Sequence, residues 1–394
     1  MLPEISQSPR DPNFYRDPYP FYEAIRNLGP LVKWKEYGIP VTVNFDLVNS
    51  LLRDRRFGRQ PPNGFFSNIT SVALPFFENE SRSMLEREPP IHTRLKSLAI
   101  SEFTSRKLKK IENEILFLSN SLIQGIERKQ FDVIKEFSEK LPVIVITRIL
   151  GIPEEMAPRL LSWSHDMVAM YQARKDNKIE DNAARATLEF TEYLKKFIIT
   201  KKKFLNDDLI SYLIISQDKN KTASIEEIIS TLILILNAGH EATVHTLSNG
   251  IKTMLESQLD KARLIKNPTT LANEVLRFNT PLHLFTRYAY EDAEIVPGQT
   301  IESGQQVGLL LAAANRDPKH FPEPNIFNPL RAGNSHLSLG AGIHFCLGAQ
   351  LARLELKIAL PTIFKKMPSM KIVGSPEYKD HYHFYGLKSL TVSI

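Results

Sequence analysis

Cys346 is the sole cysteine of the chain and lies in Ser338-Leu-Gly-Ala-Gly-Ile-His-Phe-Cys-Leu-Gly348. Gly340, Gly342 and Gly348 permit positive φ and a close backbone approach to a bound group. The sequence predicts a helix beginning at the cysteine, where N–H groups and the helix dipole favour an anion and bias the thiol toward thiolate. Such a thiolate can be a nucleophile or a metal ligand, whereas the commoner fate of a lone cysteine is a small buried hydrophobe. The spacing argues for chemistry: GxGxHxCLG fixes six positions, and a chance match in a chain this long is on the order of a few in a million. A single cysteine also excludes an internal disulfide framework and an all-cysteine zinc site.

A second polar group of residues, Asn237-Ala-Gly-His-Glu-Ala-Thr243, sits at the centre of SIEEIISTLILILNAGHEATVHTLSNGIKTMLES. The segment predicts one helix of about thirty residues, long for a globular protein. Its first half is apolar almost all round and should be buried. A polar run in a buried helix needs partners. It marks either satisfied core groups, a local kink, or function. Glu274-Val-Leu-Arg277 supplies a third signal, because residues three apart on a helix face one another and can pair. Glu23-Ala-Ile-Arg26 has the same spacing.

The elements that must position these residues follow from periodicity. LVKWKE and PVTVNF flank a glycine turn and predict a hairpin over 31–45. Helical periodicity dominates about 91–280 and 346–365. Strand-like pieces occupy 286–308 and 370–394, and a Pro- and Asn-rich loop covers 316–345. Residues 1–394 contain no repeat or low-complexity linker, so one domain, mainly α with small β-sheets, is expected. Hydrophobic residues at 42%, charged at 24% and aromatic at 9% exclude disorder, collagen-like repeats and coiled coil. The start shows no signal-peptide pattern, and the apolar run Ile228 to Leu236 is about half of a membrane span. A cytoplasmic protein with no membrane anchor is expected. The net charge of +6 and pI near 9.1 leave nucleic acid, a membrane surface or an acidic protein as partners.

With these residues in register, the chain resembles the cytochrome P450 family of haem-thiolate mono-oxygenases. The cysteine loop is similar to the family's haem loop, with Leu339 where phenylalanine is usual. The resemblance implies a cytochrome P450 fold with haem b between the long central helix and the cysteine-loop helix. Cys346 becomes the axial iron ligand, and Leu339, Gly340 and Gly348 pack on the cofactor. Met84, Leu85, Ala238 and Gly239 are implied to contact it too, with Gly239 leaving room for O2. His92, Arg287 and His344 are the implied propionate partners, together with Lys96, which stands where the family has arginine and acts as a point charge. Arg94 lies roughly 160° away from Lys96 on the helix and is expected at the surface. Glu274 and Arg277 match the family's ExxR pair, and Arg331 in Phe327-Asn-Pro-Leu-Arg331 completes a structural network.

Glu241 matches the family's acidic residue on the oxygen helix. The next position, usually threonine, is Ala242, followed by Thr243. Proton delivery to bound dioxygen must then use water, Thr243 or the substrate, or the enzyme uses peroxide. The resemblance implies insertion of one oxygen atom from O2 into a small or medium apolar substrate. Electrons come from NAD(P)H through a separate acidic ferredoxin or flavodoxin, since no flavin domain or GxGxxG pattern is present. That donor would dock on the basic stretch 92–110. Implied pocket residues are Phe65, Phe66, Phe76, Phe77, His283, Leu284, Phe285 and Phe384. Two rivals make different demands. A thiol hydrolase pairing Cys346 with His344 needs a base that a two-residue loop spacing rarely supplies. A nucleic-acid binder needs aromatic or groove-reading motifs, which are missing.

Overall fold

The structure is a computed structural model that describes residues 2–67, 69–172, 176–220, 223–331 and 333–394. It is mainly helical with small sheets, as expected, and separates into two compact units. One comprises 1–58, 112–140 and 242–394, and the other 59–111 and 141–241.

The first unit holds the sheets. Val32–Trp34 and Ile39–Thr42 form the expected antiparallel hairpin, with Val32 opposite Val41 and Gly38 at φ +68° in the turn. Ile39–Thr42 then pairs in parallel with Gln306–Leu310, which pairs antiparallel with Leu284–Ala289. Glu4–Ile5 and Phe57–Gly58 complete six strands at the two edges. Alternation along Gln306–Leu310 sends successive side chains to opposite faces. Val307 and Leu309 join Phe45, Val48, Leu51 and Phe321. Leu310 joins Phe14, Phe21, Tyr22 and Trp34 on the other face. A three-stranded sheet unites Lys371–Ile372, Thr391–Ser393 and Gln130–Asp132, the last of which periodicity did not reveal.

The second unit is helical among its described residues. Ala157–Val168 packs against Asn177–Lys201, with Trp163 stacked on Phe190 at 5.1 Å. Asp176 caps Asn177–Lys201 by accepting from the Ile179 N–H at 2.9 Å, a bond worth roughly 1 kcal/mol to the helix end. The long helix runs unbroken from Ile225 to Glu256, through the polar run at its centre. No helix among the described residues is long and apolar enough to cross a membrane.

Candidate functional site

In the first unit the cysteine loop is built on backbone that strongly favours glycine. Gly340 and Gly342 have φ of +70° and +68°. A Cβ on Gly342 would lie 2.3 Å from the Leu52 carbonyl oxygen. The Cys346 N–H returns to the Leu339 carbonyl at 3.0 Å, which fixes the sulfur's direction. The helix proper opens at Ala349, with Gly348 as N-cap, rather than at the cysteine itself. The tight Leu347–Gly348 turn takes up the intervening residues. Cys346 is half-buried, and the neighbouring apolar Ile343 and Phe345 are each 41% exposed. An apolar, glycine-shaped cradle around a half-exposed sulfur suits a flat apolar cofactor ligated by thiolate. Burial lowers the pKa of the Arg353 guanidinium, while the nearby Cys346 acts in the opposite direction. Arg353 is thus a cation near the sulfur that the sequence did not single out.

Beneath the loop, the Glu274–Arg277 pair is fully buried. Arg277 donates through Nε and Nη2 to Glu274 Oε2 and Oε1 at 2.8 and 2.7 Å. Its Nη1 reaches the carbonyls of Asn315 and Pro324, both at 2.9 Å. Glu274 also accepts from the Asn328 N–H and from Asn334 Nδ2, each at 2.8 Å. Arg331 stands 3.6 Å from Glu274 and donates to the Ile326 carbonyl at 3.0 Å. These contacts join Glu274, Arg277 and Arg331 in one polar group. Asn315, Asn328 and Asn334 are members that the motif did not reveal. Asn315 extends the network to Thr280 and Ser338, both at 2.8 Å, and Ser338 opens the cysteine-loop segment.

Other predicted residues of this unit occupy distinct settings. Arg287 is buried, donates to the Thr286 carbonyl at 3.0 Å and lies over Phe285. His344 is half-buried in a short 3-10 turn. Leu284 is buried and Phe285 half-buried. His283 joins an aromatic cluster: Nδ1 is 2.8 Å from the Tyr22 hydroxyl, and the ring stacks on Tyr385. Burial pushes its pKa down to about 3, so it is neutral there. Phe384 is half-buried and bridges to Leu282. Thr243 is buried, and Ala242 is half-buried. The Thr246 hydroxyl donates to the Ala242 carbonyl at 2.7 Å.

In the second unit, the otherwise buried first half of the long helix opens at one place. Ala238 is exposed and Gly239 half-exposed, between buried Asn237 and His240. An uncovered small-residue step on a buried helix leaves room for a group to lie against it. Gly239 has a packing reason as well: a Cβ there would meet Ile146 at 3.0 Å. Glu241 is buried and faces two imidazoles, with His165 Nε2 at 3.3 Å and His240 Nε2 at 3.7 Å. His165 comes from a different helix, so spacing in the sequence could not reveal this group. His92 is buried and Lys96 half-buried one helical turn on. Arg94 is partly exposed and forms an ion pair with Glu227, so it is a helix-tying surface group.

Met84 and Phe76 are buried, Leu85, Phe65 and Phe77 half-buried, and Phe66 exposed. Phe76 packs edge-on against Phe77 at 5.4 Å, and Arg87 lies over Phe65. The basic stretch is less positive than its sequence implies. Lys107 and Lys110 both pair with Asp207, and Lys107 also faces Glu102 at 3.3 Å. Arg106 and Lys109 remain exposed.

Comparison with known proteins places these features in context. The cytochrome P450 family profile matches residues 21–271 and 269–368. A biotin biosynthesis cytochrome P450 of Bacillus subtilis (strain 168) is 32% identical over 397 residues, covering 99% of both chains. The crystal structure of P450BioI with acyl carrier protein ligated to hexadec-9Z-enoic acid superposes with a TM-score of 0.91. It has 32% identity and covers 97% of this chain and 100% of that one. A myxobacterial cytochrome P450, CYP267B1, bound to myristic acid has a TM-score of 0.88 and 30% identity, with 98% of each chain covered. With the glycine-shaped cysteine loop, the buried Glu274–Arg277 network and profile matches spanning most of its length, the chain belongs to the cytochrome P450 family of haem-dependent mono-oxygenases.

Proposed function

We propose that residues 1–394 act as one catalytic module that inserts one atom of O2 into a C–H or C=C bond of a small or medium apolar substrate. The observation that carries this reading is Cys346, the single cysteine, held half-exposed on a loop turned by two positive-φ glycines. Haem b, when bound, would supply oxygen activation, its thiolate ligand favouring O–O cleavage.

The chain's own residues do the rest. Cys346 would ligate the iron. Leu339, Gly340, Gly348, Ala238 and Gly239 would contact the cofactor, with Met84 and Leu85 as further contacts. His92, Lys96, Arg287 and His344 would bind the propionates. Glu274, Arg277 and Arg331 keep the cysteine-loop segment rigid through a network that reaches Ser338. Glu241 and Thr243 hold and pass protons. Phe65, Phe66, Phe76, Phe77, Leu284, Phe285 and Phe384 offer apolar surface to substrate, while His283 serves by supporting the strand that carries Leu284. The fatty-acyl ligands of two similar structures favour an acyl chain as the apolar guest. Electrons arrive from NAD(P)H through an acidic ferredoxin or flavodoxin, for which Arg106, Lys109 and Lys110 are exposed cations.

The test is the reduced carbon monoxide spectrum of the purified protein. A strongly red-shifted Soret band, lost in Cys346→Ala, is expected. A protein without haem after expression with ample haem supply overturns the reading. One observation favours a second use of the same site: Ala242 offers no hydroxyl where the family has one, which suits peroxide as the oxygen source. Product formed with peroxide at a rate matching the NADH-driven reaction would select it.

A further inference from the structure

We propose that His165, His240 and Glu241 form a divalent-cation site, best suited to Zn2+, on the second unit. Their ligand atoms, one from each residue, all lie within 4.8 Å of one another. Two carboxylate–imidazole separations are 3.3 and 3.7 Å. Ligands about 2.0–2.1 Å from a tetrahedral zinc sit roughly 3.4 Å apart, so two edges of the polyhedron already have the right length. The third, between the imidazoles, closes by movement of His165, whose side chain is 39% exposed. That exposure also gives the ion its route of entry and leaves the fourth position to water.

The second observation is the tautomer of His240. Its Nδ1 lies 2.8 Å from the Leu236 carbonyl. A carbonyl can only accept, so Nδ1 carries a proton, and Nε2, the nitrogen toward Glu241, is the one left to ligate a metal. Zinc-binding histidines are oriented in this way, with the outer nitrogen donating to a carbonyl or carboxylate. The donor set of two imidazoles and one carboxylate suits zinc and disfavours calcium or magnesium, which take oxygen ligands. His240 and Glu241 are anchored on an unbroken helix, so the ion would clamp Ala157–Val168 to it through His165.

Zinc binding is read on the haem-loaded protein, in which Cys346 is occupied and cannot compete. Equilibrium dialysis against Zn2+, followed by metal analysis, should give one tight equivalent for the wild type. His165→Ala and Glu241→Gln should each weaken that site at least about tenfold. His165→Cys, which restores a zinc ligand, should recover most of the affinity; a purely structural His165 would not give this recovery. Equal binding by wild type and His165→Ala, or no stoichiometric zinc at all, overturns the proposal and leaves a hydrogen-bonded imidazole–carboxylate group. The carbon monoxide spectrum of each variant reports the haem site separately, so failure of the zinc site and failure of the mono-oxygenase reading are distinguishable. Inhibition of turnover by Zn2+, relieved in His165→Ala, is a consequence that rests on the proton-handling role proposed for Glu241.

Discussion

Glu274 and Glu241 are both buried carboxylates on helices, in different units, and their surroundings differ in kind. Glu274 accepts from the forked guanidinium of Arg277, from a backbone N–H and from an asparagine amide, with Arg331 close by. Its partners are a guanidinium fork, a backbone N–H and an asparagine amide, all donors that hold its two oxygens in place. Glu241 faces two imidazoles, groups that gain and lose protons or ligate metals near neutral pH. The lesson is that burial alone does not assign a role. The chemistry of the facing groups separates the two carboxylates, one set against a guanidinium and amides and the other against imidazoles.

The largest effect should come from breaking the first environment. Glu274→Gln puts an amide against Arg277 and leaves a buried guanidinium uncompensated, at a cost of about 3–5 kcal/mol. Denaturant unfolding of the variant should show this, with loss of haem retention. Glu23→Gln, at the same i,i+3 spacing but with Glu23 47% exposed, should cost less than about 1 kcal/mol. Equal losses would mean that spacing rather than burial sets the value of the pair.

Next in size is Gly342→Ala, where both a φ of +68° and the Leu52 carbonyl oppose a side chain. A loss of about 2–4 kcal/mol and a fall in haem content are expected. Gly125→Ala, away from the loop and with its nearest atom 3.5 Å from the added Cβ, should retain haem. If both variants bind haem equally, the loop's shape is not what fixes the thiolate.

A third carboxylate sharpens the contrast in the second unit. Burial, aided by the charge of Glu86, raises the pKa of Glu80 from 4.5 to about 7, and the Tyr171 hydroxyl donates to it at 2.6 Å. Between these values the folded state binds a proton that the unfolded chain has released. Stability therefore falls as pH rises through this window, by about 3 kcal/mol in all. Glu80→Gln should abolish that fall and exceed the wild type in thermal stability above pH 7. A wild-type and variant pair with parallel pH profiles would show that Glu80 is ionised throughout.

The smallest effect on stability, and the most informative for chemistry, is Ala242→Thr. Position 242 is half-buried and accepts the added hydroxyl with little repacking. The fraction of NADH consumption that ends in product should rise. Identical coupling in both proteins would remove this position from proton handling and return attention to Glu241 and Thr243.

Much of the fold was legible because its signals are local. The hairpin around Gly38, the long helix over Ile225–Glu256 and the strands after residue 284 follow from periodicity and turn residues. The cysteine loop was legible because glycine, histidine and cysteine at fixed spacing leave few alternatives. Short elements whose pairing is remote in sequence escaped. Gln130–Asp132 is a strand only because Thr391–Ser393 lies beside it. Lys107 and Lys110 read as docking charges until folding brought Asp207 against them.

The two ExxR spacings mark the division most clearly. The sequence by itself determined that Glu23 could pair with Arg26 and Glu274 with Arg277, because a helix sets i and i+3 side by side whatever surrounds it. It also determined the cysteine loop, since conformational freedom at glycine is a property of the residue. Only the tertiary structure decided that one pair keeps its carboxylate open to solvent and the other is enclosed by Asn315, Asn328 and Asn334. Only it brought His165 to Glu241. Desolvation and the identity of facing donors depend on chain segments far apart in sequence, and no local pattern encodes them.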